Sequence, residues 1–519
     1  MDRRMRKVVV VGGSVAGWTV AARLAGTWRG TVAVTVLQTP CAVPDLAETG
    51  QVTAVPPEFQ SALFDPLGVA EDDWTRACGA SFRTAVRYVN WRTEGPLTTA
   101  ARTLANGAAD HFYRPRAHLP ECGNNSLSPY WQYLRSEGLT AEPFDYACFR
   151  EPPLMDAMKS PRWLDGRAAF PYGWHVDTLV FRAFLRDLAV RRLDVRAVHD
   201  SVRSAERDEN GMLTALRTEK GRRIEGDLFV DCTGQQGLLL GKVLGEPFVG
   251  AQERLLCDSA ATVTVAHDDT AHGIEPFATA TALPTGWSWK LPLPGRFGAG
   301  LVYPRARTAP DEAAGRLCEL YGLDPGRAEV RHARYRFGRS RRAWVKNCVA
   351  LGTAAWQVEP LAGDALDEVL GAVGLLIRDA PSLDAREAPA ARFNRAARDR
   401  YERAADAVQL HYAAAPRADS GFWRAQRALP LSGALRECVE AHRGGLSPEP
   451  GQEARYGLLS ALVPVPGGLA QGTSIGYRPD ARRSAEEQLA RVKRRQRILL
   501  ETLPTAHAYL ERLHRRAAA

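Results

Sequence analysis

The chain has 519 residues, 45% of them hydrophobic and 24% charged, which fits a globular protein of one or more domains and excludes a fibrous or disordered chain. No apolar run approaches the roughly 18 residues of a membrane-spanning helix, which argues against a membrane protein. The formal charge of +9 comes almost wholly from arginines dispersed along the chain, with no nucleic-acid-binding module, so a DNA or RNA partner is not expected.

The basic start MDRRMRK runs into Val8–Val11 and a glycine turn with no cleavage site, which reads as a first strand instead of a signal peptide. Lys7–Val11 is predicted as a strand, Ala16–Ala25 as a helix and Thr31–Leu37 as a second strand, the opening of a parallel dinucleotide-binding sheet. The intervening turn, Gly12-Gly13-Ser14-Val15-Ala16-Gly17, fits a Gly-x-Gly-x-x-Gly frame with serine in the middle place. Such a turn brings backbone N–H groups and the positive end of a helix against a pyrophosphate. The acid expected near the end of the second strand is replaced by Gln38, a weaker acceptor for a ribose hydroxyl, which a plain surface role explains equally well.

From Gly95 to Arg162 the chain is rich in Pro, Gly and Asn and reads as loops. Strand patterning returns over Val195–Phe229, Ala261–Val265 and Trp287–Tyr303. The stretch Asp227–Gly234 ends in Asp231-Cys232-Thr233-Gly234, a strand and turn suited to a second backbone approach to the dinucleotide. From Arg386 onward the pattern is helical and basic, interrupted around Gly445–Gly476. Nine cysteines without a Cys-x-x-Cys pair argue against a disulfide framework or a metal site, and predict free thiols in a cytoplasmic protein.

Gly286-Trp287-Ser288-Trp289-Lys290-Leu291-Pro292 resembles the Trp-x-Trp-x-Ile-Pro signature of flavin-dependent tryptophan halogenases. The resemblance extends to the Gly12–Trp18 turn, Phe170–Ala183, Asp231–Gly234, Gly245–Phe248, Trp344–Pro360, Val408–Tyr412, Phe422-Trp423 and Leu503–Leu510. It implies an α/β fold: an FAD-binding Rossmann-like box with mixed sheets (1–99 and 165–385) carrying a mostly helical substrate-binding pyramid (100–164 and 386–519). It also implies FAD as cofactor, held by Gly12, Gly13, Ser14, Val15, Ala16, Gly17, Gln38, Asp231, Gly234 and Gly352. Nothing resembles a second nicotinamide-binding fold, so a separate flavin reductase is the expected partner, with homodimerisation left open. Trp287 and Trp289, on one face of a strand, are expected to form the wall between flavin and substrate.

In that family reduced FAD and oxygen convert halide to hypohalous acid, which reaches a lysine beside the substrate. This chain departs from the pattern at several places. The lysine aligns with Arg83, whose guanidinium stays protonated and is a poor nucleophile but a good hydrogen-bond donor. The glutamate and the halide-side Thr-Gly that follow Glu359-Pro360-Leu361 align with Ala362 and with Asp364-Ala365, and the strap around Ala47–Thr53 is rewritten. A His and a Phe of the substrate wall align with Arg114 and Arg116. Arg83, Arg114 and Arg116 are either loop arginines in solvent or a cradle for an anionic substrate.

These departures place first an FAD-dependent monooxygenase or oxidase acting on an aromatic or anionic natural-product intermediate, with Arg83, Trp287 and Trp289 as catalytic residues. They predict that tryptophan itself is not halogenated and that Arg83 serves binding. A halogenase with an unusual site and a non-catalytic flavin-binding protein are the alternatives.

Overall fold

A computed structural model describes residues 5–40, 49, 51–93, 110–116, 121–122, 125–361, 365–379, 387–446, 449, 452–463 and 479–515. The β-branched run Lys7–Val11 is buried over its last four residues, as an interior strand covered on both faces must be. It pairs in parallel with Ala33–Gln38 on one side and Leu228–Asp231 on the other. Arg196–His199 and Cys348–Ala350 extend this parallel sheet, and Trp344–Val345 closes it as an antiparallel edge. The helix Val15–Thr27 covers the sheet and packs against the helices Thr178–Arg192 and Ala365–Arg378.

A second, seven-stranded sheet runs in the order Arg331–Arg334, Ser259–Ala266, Arg296–Tyr303, Gly286–Leu293, Ala278–Leu283, Ala85–Val89, His111–Pro115. Its pairs are antiparallel except Ala278–Leu283 with Ala85–Val89. A small antiparallel sheet of Val52–Val55, Gly173–Asp177 and Ser81–Arg83 stands beside them. The mixed-sheet α/β architecture expected from the sequence is present.

The stretch expected to be loops, Gly95–Arg162, holds three short helices among its described residues: Ser128–Ser136, Phe144–Cys148 and Glu151–Asp156. Pro129, and the pair Pro152-Pro153, sit in first turns, where the missing N–H has no helical partner to lose. The helix Pro479–Thr502 packs on the second and third of these. Seven described cysteines are buried free thiols; Cys41 and Cys122 lie outside the described side chains. Among the described residues no helix is long and apolar enough to cross a membrane.

Candidate active site

The Gly12–Gly17 turn shows why glycine is needed at two of its places. Gly12 has φ +117°, and a Cβ there would lie 2.2 Å from the Cys232 carbonyl oxygen. A Cβ on Gly17 would lie 2.1 Å from the Gly12 carbonyl oxygen, so the first helical turn packs directly on the loop. Ser14 takes the middle place without strain, because it is the N-cap of Val15–Thr27 and its hydroxyl accepts from the Gly17 N–H at 3.4 Å.

A cleft of about 520 Å³ opens at this turn, lined by Gly12, Gly13, Ser14, Gln38, Arg182, Arg186, His199, Thr233 and Gly234. A second cavity of about 580 Å³ begins at Ser14, Val15 and Ala16 and passes Val52, Thr53 and Gly352 to Trp287, Trp289, Glu359 and Arg83. Ser14 lines both, so an elongated dinucleotide laid across the helix N-terminus fits one end in each. Two glycines that admit no side chain, a capped helix end and two arginines beside the cleft suit the pyrophosphate of FAD.

Other expected cofactor contacts are refined. Gln38 lines the cleft, but its side-chain amide already meets His199 Nε2 at 2.9 Å. Asp231 is fully buried and does not face either cavity. It accepts from the Thr233 N–H and hydroxyl and from the N–H groups of Leu239 and Leu240 at 2.6–3.0 Å. It is thus a positioning residue that shapes the turn presenting Thr233 and Gly234, and the expected direct contact is corrected.

Trp287 and Trp289 stand in the wall of the second cavity with ring centroids 6.0 Å apart. Trp289 lies over Gly300, its partner on the next strand, where any Cβ would meet the indole at 2.1 Å. Trp287 Nε1 donates to Glu359 Oε2 at 3.0 Å. Glu359, which the sequence marks only as part of the Glu359-Pro360-Leu361 motif, is buried in this wall.

Arg83 ends the strand Ser81–Arg83 and lines the cavity. Arg114, opposite Val86 on the neighbouring strand, hydrogen-bonds the Tyr88 hydroxyl, and the charge of Arg83 acts on the same hydroxyl. Burial nevertheless holds the Tyr88 phenol above its ordinary range. Tyr88 donates to His411 Nε2 at 3.0 Å, while the His411 Nδ1–H donates to the Ala407 carbonyl at 2.6 Å, fixing the ring's tautomer. Burial, and then the charge of Arg114, push His411 down to about 3, so it is neutral. Arg116 instead ion-pairs with Glu58 at 3.9 Å, which leaves Arg83 and Arg114 as the two arginines converging on Tyr88. Ala362 and Asp364 and most of the strap lie outside the described residues.

The sequence pattern of the tryptophan halogenase family matches residues 7–459. The tryptophan 7-halogenase RebH of Lentzea aerocolonigenes is 40% identical over 99% of this chain and 100% of its own length. The tryptophan 6-halogenase ThaL of Streptomyces albogriseolus is 39% identical over 99% of each chain. The solved structure of Tar14, a tryptophan C-6 flavin-dependent halogenase from taromycin biosynthesis, superposes with a TM-score of 0.87 at 30% identity, over 98% of this chain and 99% of its own. The chain belongs to the tryptophan halogenase family, and its cofactor is FAD.

Proposed function

We propose that the protein is a flavin-dependent halogenase of a small aromatic substrate bearing a carboxylate, fed with reduced FAD by a separate reductase. The observation that carries this reading is the single cavity running from the glycine turn past Trp287 and Trp289 to Arg83. Its resemblance over full length to proteins named tryptophan halogenases favours halogenation, the second of the activities weighed from sequence, over oxygenation.

Bound and reduced FAD supplies the electrons with which oxygen is activated to oxidise halide to hypohalous acid. The protein's part is confinement and charge. The two indoles stand side by side in the cavity wall, and their role is to keep the aromatic substrate from the flavin end while a small oxidant passes. Arg83 donates hydrogen bonds to that oxidant without forming a covalent adduct, since guanidinium is not a nucleophile at neutral pH. Arg114, opposite the cavity-lining Val86 and braced on Tyr88, adds its charge to that of Arg83 in drawing the substrate carboxylate to this end.

One observation favours a second reading, oxygenation or oxidation without halide: Arg83 stands where the family's pattern has lysine. Incubation with FAD, a flavin reductase and indole or benzene carboxylates, with and without bromide, separates the two by mass spectrometry. Brominated product that appears only with bromide supports halogenation; the same products regardless of bromide support the second reading.

A further inference from the structure

Glu359 is 1% exposed and lines this cavity, and its two oxygens are unequally engaged. Trp287 Nε1 at 3.0 Å and the Tyr412 hydroxyl at 2.6 Å both donate to Oε2, whereas Oε1 accepts from no N–H or O–H among the described residues. Among the described residues the groups acting on the carboxyl are Tyr412, Trp287 and the Cys257 thiol, a weak hydrogen-bond donor, with no cation among them. The buried Tyr335 hydroxyl, without a hydrogen-bond partner among the described residues, feels the charges of Glu359, Cys257 and Asp258. A buried carboxyl oxygen left with at most a weak thiol donor is costly, so its place in a cavity wall calls for a use. Burial pushes this carboxyl up to about 7, against the opposing hydrogen bonds of Tyr412 and Trp287.

We propose that Glu359 is the proton-transfer group of this cavity, serving where the family's pattern places a carboxylate and this chain has Ala362. The step rests on the halogenase reading. The protonated carboxyl donates its proton to the oxygen of hypohalous acid. A π-electron pair of the aromatic substrate bonds to the halogen as the oxygen–halogen bond breaks, and the oxygen leaves as water. The resulting carboxylate then takes the proton from the substituted ring carbon, and the C–H electron pair restores aromaticity. Hypohalous acid and arene become haloarene and water, and Glu359 is returned protonated.

Glu359→Gln keeps an acceptor for Trp287 and Tyr412 but carries no titrating proton. With bromide, reduced FAD and an indole carboxylate, wild-type kcat is expected to fall as pH rises through about 7, the value to which burial pushes Glu359. The Gln variant is expected to lose about 100-fold in kcat and to show no such limb, with Glu359→Asp restoring part of both. Infrared titration of the cofactor-free protein provides a readout apart from turnover: a protonated-carboxyl band that disappears over the same pH range in wild type and is missing in Glu359→Gln. Unchanged kcat and pH profile in Glu359→Gln, or absence of the titrating band from wild type, overturns the proposal. If wild type forms no halogenated product at all, the halogenase reading fails first and this step with it.

Discussion

Gly13 faces the stem of Gln38: a Cβ there would lie 2.9 Å from Gln38 Cγ and 3.2 Å from its Cβ, so the Gln38 side chain must shift to admit it. Gly13→Ala is therefore expected to fold and to narrow the nucleotide cleft, weakening FAD binding by about 1 kcal/mol, roughly fivefold, in a fluorescence titration. Glu359 gives a prediction of opposite character. Its carboxyl is raised from 4.5 to about 7 by folding, so between those values the unfolded chain gives up a proton that the native state keeps. Native stability is thus lost as pH rises from about 4.5 through about 7, by an amount on the order of 3 kcal/mol. Denaturant melts are expected to show Glu359→Gln close to wild type at acid pH and more stable than it above neutrality.

At the scale of elements, the helix Val15–Thr27 depends on its N-cap residue for order. Ser14 satisfies the Gly17 N–H, one of the N-terminal donors that have no partner within the helix. Ser14→Ala is expected to lower stability by about 1 kcal/mol in urea denaturation, because an orphaned donor replaces the cap. This strand, turn and helix were legible in the sequence because β-branched runs, glycine spacing and helical periodicity agree there. The helices in Ser128–Asp156 were not, because proline was read as a breaker when it stands in first turns. Glu359 escaped notice for another reason. A glutamate beside Pro360 carries no sequence sign of burial, and its partners Trp287 and Tyr412 lie 72 and 53 positions away. Trp287 and Trp289 were legible because strand alternation alone puts them on one face.

At the scale of the whole molecule, the parallel sheet positions the nucleotide turn, the seven-stranded sheet supplies the tryptophan wall, and the cavity connects them. Its far end reaches Arg83 and Val86, and behind that wall Arg114 and a neutral His411 meet at the buried Tyr88, an environment suited to an anion and hostile to a cation. Arg114→Ala is expected to weaken binding of indole carboxylates by about 1.5–3 kcal/mol in calorimetry while leaving uncharged indoles unaffected. The three-arginine cradle read from sequence could not be narrowed there, since only the fold turns Arg116 toward Glu58. The central claim is that oxidising power generated with FAD reaches an aromatic carboxylate as halogen. The most direct measurement is product mass spectrometry after turnover under heavy-isotope dioxygen with bromide present. The account predicts a product carrying the bromine isotope doublet and no heavy oxygen; a product carrying heavy oxygen and no bromine would contradict it.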